Sequence, residues 1–425
     1  MPHSEFLKAE PIFGPENKPR AIADFDIRKS ILEDLTLKTL YLSGSLSITE
    51  LAEKTRLSFE VAQELSSLLR AEMLCQVTGM HGHIPQIAIT SQGRSRAMDL
   101  LAQNHYAGSA PVTLQSYVEQ TLKQSVRKVE VHEDEVKRAF THLVIESAML
   151  RQFGTALNSG SSIFLYGPPG TGKTTAAETL SRVIAEDDVW IPYAVEVDNQ
   201  IITLYDPAIH RRSKKYEPKD HDERWVLCQR PAVMVGGELT AAMLDLQFNP
   251  VTKFYVAPAQ MKANNGVLII DDFGRQRIRP EELLNRWVVP LDRRIDFLTL
   301  AGGKKLEVPF EMLVVFASNI DPTTLVDECF LRRIQTKIKI GGVSDGQFCE
   351  IFHRIAAEQQ VEFDPDIPKE LIDFIRGTLK KELRQCYPRD IVNQVLWAAS
   401  YEGKKPYIDS TAMTLAVQAY FLPGS

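Results

Sequence analysis

Cysteine is scarce in this chain. Its 425 residues hold five, Cys75, Cys228, Cys329, Cys349 and Cys386. They are scattered, odd in number and form no C-x-x-C pair, which argues against a disulfide framework or a structural zinc site and predicts reduced thiols in the cytoplasm. No apolar run is long enough to span a bilayer, so membrane insertion is not expected. Met1-Pro2-His3-Ser4-Glu5-Phe6 lacks the basic region and apolar core of a secretory signal. Positive charge is also short: 49 Lys and Arg face 55 Asp and Glu, a net charge of −6. That balance disfavours indiscriminate binding to nucleic acid, although a local basic surface is still allowed. Repeats and low-complexity segments are missing. What is present is an ordinary soluble composition, 44% hydrophobic and 24% charged, over a length that allows two or three domains.

The most informative string is Gly167-Pro168-Pro169-Gly170-Thr171-Gly172-Lys173-Thr174. It follows the apolar run Ile163-Phe164-Leu165-Tyr166 and precedes a helical pattern opened by Thr175. A buried strand, a Gly-rich turn and a helix in this order make a phosphate-binding loop. Backbone N–H groups cradle a phosphate, helped by the helix N-terminus. Lys173 is expected to reach the β- and γ-phosphates, and the Thr174 hydroxyl to ligate Mg²⁺.

Further on, Gly266-Val267-Leu268-Ile269-Ile270-Asp271-Asp272-Phe273 is a continuous apolar run ending in acid. This marks a buried parallel strand with carboxylates at its C-terminal tip, the edge where open α/β sheets bind ligands. Asp271 is expected to hold Mg²⁺ through its water shell, and Asp272 to orient or deprotonate an attacking water; the two could exchange roles. A third buried-strand pattern, Met312 to Ala317, ends in Ser318-Asn319, and Asn319 can hold the same water. Leu331-Arg332-Arg333-Ile334 follows, and Tyr387-Pro388-Arg389-Asp390 begins a helix near the C-terminus.

Around this core, residues 28–105 read as a winged helix-turn-helix. Ser47-Ile48-Thr49-Glu50 has the form of a capping box. The helix that would read DNA, Phe59–Met73, exposes Glu60, Glu64 and Glu72 against Arg70, a poor set for a phosphate-lined groove. Protein contact is therefore preferred to DNA binding. Residues 106–139 form a linker and helical lead-in, 140–342 the α/β core with an insertion near 200–265, and 343–425 a helical region.

Taken in order, these motifs resemble the AAA+ ATPase family over most of residues 140–425. The resemblance implies a parallel-sheet core with a C-terminal helical lid, ATP and Mg²⁺ as ligands, and head-to-tail assembly, usually as a hexamer, with an open helical filament as the alternative. It makes Asn319 the first sensor, Arg389 the second sensor, Arg333 the finger reaching a neighbour's nucleotide with Arg332 as alternative, and Asn199 a polar switch. The long insertion resembles that of MoxR-type and other helix-2-insert bacterial ATPases, which implies a chaperone-like remodeller of a protein client. A DNA-associated ATPase is the alternative. A nucleotide-gated scaffold is a third, because the family usually carries Glu where this chain has Asp272, and a carboxylate set back by about 1 Å can cost on the order of 100-fold in rate.

Overall fold

The computed structural model describes residues 15, 18–214, 221–325 and 328–421, without the side chains of His81 and Cys329. The N-terminal hexapeptide in which no secretory signal was expected lies outside them.

Five short strands form a wholly parallel sheet, in the order Ala232–Val235, Val267–Ile270, Leu313–Ser318, Ile163–Tyr166 and Thr336–Lys339. Their continuous apolar sequences follow from burial on both faces. Alternate residues go to opposite sides, as the two-residue period of a strand requires. Ile163, Leu165, Val267, Ile269, Leu313 and Val315 pack under helices Ser147–Ser159 and Lys173–Ile184, against Phe153, Ala177 and Leu180. Phe164, Leu268, Ile270, Val314 and Phe316 face the other way, onto Phe273, Trp287 and Phe310. There Phe164 stacks on Phe316 at 5.9 Å and Phe273 meets the same ring edge-on at 5.0 Å. The fold is thus α/β, with the phosphate loop and the paired acids at one end of a parallel sheet.

A second β layer has its own core. A five-stranded sheet runs Gln247–Asn249, Phe254–Val256, Gln200–Thr203, Ala194–Val197, Val112–Thr113. It shares Val195, Ile202, Trp190, Trp225 and Tyr255 with the Asp188–Pro192/Trp225–Gln229 pair and the Ile295–Thr299/Lys305–Pro309 hairpin. The chain therefore leaves the core just after Ile184, earlier than the sequence predicts. It returns as Ala232–Val235 to lie beside the Asp271 strand. Asn199 belongs to this layer. It sits in a left-handed turn (φ 64°) and accepts a hydrogen bond from Arg28, away from the phosphate loop, so the switch assignment is corrected.

A buried polar seam joins the two layers at the strand starts. The Gln124 amide exchanges bonds with the Trp190 backbone at 2.7 and 2.9 Å and donates to Asn265 Oδ1 at 3.0 Å. Arg230, 5% exposed, donates one nitrogen to the Gln124 and Asn265 carbonyls at 2.9 and 2.7 Å. Two charge-assisted bonds to buried carbonyls contribute about 1.5 kcal/mol each, so Arg230→Ala should lower stability by roughly 3 kcal/mol. Urea unfolding followed by tryptophan fluorescence tests this; an unmoved midpoint would show the seam to be energetically idle.

Ahead of these layers come helices Lys29–Ser43, Ile48–Thr55 and Phe59–Ala71, then the Cys75–His81/Ile84–Ile89 hairpin and helix Ser91–Gln103. Leu46–Ser47 pairs with the second hairpin strand. The Ser47/Glu50 box is formed: Glu50 N–H donates to Ser47 Oγ at 3.2 Å and Ser47 N–H to Glu50 Oε2 at 2.7 Å. Leu32, Leu35, Val61 and Leu65 pack against Ala194 and Ile201 of the second layer. After the core, helices Asp345–Glu358, Ile367–Asp373, Cys386–Glu402 and Ser410–Tyr420 enclose Phe348, Phe352, Ile391 and Val417.

Candidate functional site

The phosphate loop lies between the Ile163 strand and the Lys173 helix, and its backbone needs glycine at three points, Gly167, Gly170 and Gly172. Gly167 adopts φ 146°, and a Cβ there would strike the Ile340 carbonyl. Gly170 adopts φ 79°, and a Cβ there would strike Cys386 Sγ. Thr171, 1% exposed, ties the loop by donating to Pro168 O at 2.9 Å. At the helix start the N–H groups of Lys173, Thr174 and Thr175 have no residue four back inside the helix to bond, and so point outward. The Lys173 ammonium donates to the Gly167 and Pro168 carbonyls at 3.0 and 2.7 Å. Burial lowers its pKa; Arg384 adds to this, while Asp272 and Asp271 oppose it.

Across the loop, Thr174 Oγ1 bonds Asp271 Oδ1 and Oδ2 at 2.9 and 3.1 Å. A hydroxyl and a carboxylate side by side are hard oxygen donors suited to Mg²⁺, so the residues fit that ion. Asp272 takes a left-handed backbone (φ 49°), tolerable for Asp. Phe273 N–H then bonds the Ala317 carbonyl at 2.8 Å, and the Phe273 ring goes into the core. The turn leaves the Asp272 carboxylate at the strand tip, where Asn319 Nδ2 donates to Oδ1 at 2.8 Å. Thr174, the Asp271–Asp272 pair and Asn319, from three distant parts of the sequence, thus meet in one cleft.

The cleft has a volume of about 460 Å³. His142, Leu143 and Val144 form one wall, and Ile351, Ile355 and Glu358 of the lid face them. Sequence reasoning missed this wall, since an irregular loop carries no periodic signal. Arg389 lines the cleft but is 64% exposed and donates to Asp390 at 3.3 Å. Arg384 was also missed. Its Cδ lies 3.7 Å from where a Gly170 Cβ would sit, and its Nε is buried without a hydrogen-bond partner. Next to it, Cys386 N–H donates to Gly170 O at 3.1 Å, so the lid rests directly on the loop. The sequence signal was an arginine on each side of the helix start; only the second was chosen.

Arg332 and Arg333 lie outside the cleft. Arg333 Nε donates to Asp292 at 2.9 Å and its side chain is 16% exposed. Arg332 is exposed. The two thus part company, and the one left facing solvent is not the one the sequence favoured.

Residues 344–419 match the family model described as "Domain of unknown function (DUF8689)". That span holds most of the lid, including Arg384, Cys386 and Arg389. No curated protein matches. Among solved structures, NtrX from Brucella abortus in complex with ADP is similar at 15% identity and TM-score 0.39, over 62% of this chain and 53% of that one. The chain thus spans about half of NtrX. The Thermotoga maritima RuvB Holliday junction branch migration motor is similar at 16% identity and TM-score 0.35, over 69% and 73% of the two chains. No described helix is long and apolar enough to cross a membrane.

Proposed function

We propose that this chain is an ATPase of the AAA+ kind that binds Mg·ATP in the cleft and uses its hydrolysis to remodel a protein client. The observation that carries it is the convergence of the glycine loop, the Thr174–Asp271 pair and the Asp272–Asn319 pair at one end of a parallel sheet. Each group has a task. Loop N–H groups and Lys173 hold the phosphates. Mg²⁺, on Thr174 and through water on Asp271, would neutralise charge on the β- and γ-phosphates. Asp272 accepts the proton of the attacking water, and Asn319 fixes the carboxylate that does so. Arg384 and Arg389 bring the lid's positive charge to the closed cleft. An exposed Arg332 is suited to a neighbouring protomer's nucleotide in a head-to-tail assembly, closed as a ring or open as a filament.

The N-terminal unit, read as a winged helix, suits protein contact better than DNA. The segment ahead of it covers the would-be reading helix: Ser58 Oγ donates to Pro19 O at 2.8 Å, and Ile22 N–H donates to Glu64 at 2.9 Å.

Lys173→Ala should weaken ATP binding by about 3 kcal/mol, roughly a hundredfold in Kd, by removing a charge-assisted phosphate contact. Arg384→Ala should weaken ATP more than ADP. Calorimetric titration with each nucleotide and Mg²⁺ reads both. A wild-type chain that binds no adenine nucleotide would sink the proposal, and equal losses for ATP and ADP would remove Arg384 from γ-phosphate contact.

A further inference from the structure

A second cavity, of about 220 Å³, lies far from the phosphate loop. Three parts of the chain enclose it: the first helix, the segment after the Ser91–Gln103 helix, and the Asn199–Ile201 turn of the second β layer. Lys38 and Asp34 line it from the same helix face, one turn apart. Lys38 is 7% exposed, and burial pushes its pKa down to about 8. Its ammonium makes one hydrogen bond, to the Asn104 carbonyl at 3.2 Å, which caps the end of the Ser91–Gln103 helix. An ammonium has three donors, so two find no partner among the described residues. Asp34 is half-buried, and burial raises its carboxyl above the usual range despite Arg96 and Lys38 nearby. Among the described residues none donates a hydrogen bond to it. The rest of the wall is mixed: Ile31, Leu35, Leu100, Pro111 and Ile201 alternate with polar Ser30, Gln103, Asn104, Asn199 and Gln200.

We propose that this cavity binds a small zwitterion, an α-amino acid with an aliphatic side chain, its carboxylate on Lys38 and its ammonium on Asp34. A buried ammonium and a half-buried carboxylate on one helix face match a molecule carrying the complementary pair of charges. Ile31, Leu35, Leu100, Pro111 and Ile201 take the side chain. A volume of about 220 Å³ admits such a molecule and is about half that of the 460 Å³ cleft at the phosphate loop. Occupancy would fasten the N-terminal unit to the second β layer. The site does not depend on the ATPase assignment.

The test uses the full chain. Leucine, valine and alanine are added separately, and melting temperature is followed beside acetylation of Lys38 by an N-hydroxysuccinimide ester, read by mass spectrometry. At least one amino acid should raise the melting temperature by about 2–4 °C at ten times its Kd. It should also slow Lys38 acetylation severalfold relative to the chain's exposed lysines, a ratio that cancels the ester consumed by the free amino acid. Lys38→Met and Asp34→Asn should each abolish the thermal shift while calorimetry shows ATP affinity unchanged. If no amino acid protects Lys38 in the wild-type chain, the site is a solvent-filled cavity and the proposal fails; this arm holds even if Lys38→Met does not fold. Equal protection by acetate would overturn the zwitterion in favour of a bare anion site.

Discussion

Asp272→Asn is expected to leave Mg·ATP affinity within about twofold and to cut turnover by roughly 10²–10⁴-fold, the usual contribution of a general base. Asparagine keeps the shape, tolerates the left-handed backbone at this position, and can still accept from Asn319. What it cannot do is take a proton. Asp271, engaged by Thr174, is the wrong group to compensate. Single-turnover hydrolysis with radiolabelled ATP separates the outcomes. A parental rate in Asp272→Asn would move the base to Asp271. A wild-type chain that binds ATP, assembles and hardly hydrolyses would favour the nucleotide-gated scaffold.

The second large effect belongs to Arg332. Arg332→Ala should leave nucleotide binding intact and lower hydrolysis by the assembled protein about 10³-fold or more, the range of an arginine finger. Arg333→Ala should change the rate little, because its largely buried guanidinium is engaged by Asp292. Mixing decides whether the contact is made between protomers. Arg332→Ala and Asp272→Asn subunits, each inert, should recover part of the activity together, since some composite sites hold neither change. No recovery on mixing would rule out a shared site. A deficit in Arg333→Ala instead would return the finger to Arg333.

The cleft was more legible in the sequence than the architecture around it. Gly167 to Thr174 carries its context locally, a strand before and a helix after, and Asp271 ends an unbroken apolar run. The Ala232–Val235 strand escaped because four residues between Pro231 and Gly236 are a weak signal, and its partner, Val267–Ile270, is more than thirty residues away. Asn199 was misassigned because the strand before it, Ala194–Val197, pairs with Gln200–Thr203 in the other layer. Choosing between Arg332 and Arg333, or seeing Arg384, needed Asp292 and Gly170 in space. Lys38 gave no warning either. It sits in an ordinary helical pattern, and only folding shows that its ammonium is shut in.

Gln124, Asn265 and Arg230 clasp the β layer to the inlet edge of the strands, while the Thr174–Asp271 cleft opens at the outlet edge beneath the lid. Sliding one layer over the other would strip several buried carbonyls of their donors at once. Such a joint behaves as a weld. For the ATPase proposed above, the hinge then falls on the lid side, and the N-terminal portion, packed on the β layer, moves with that layer.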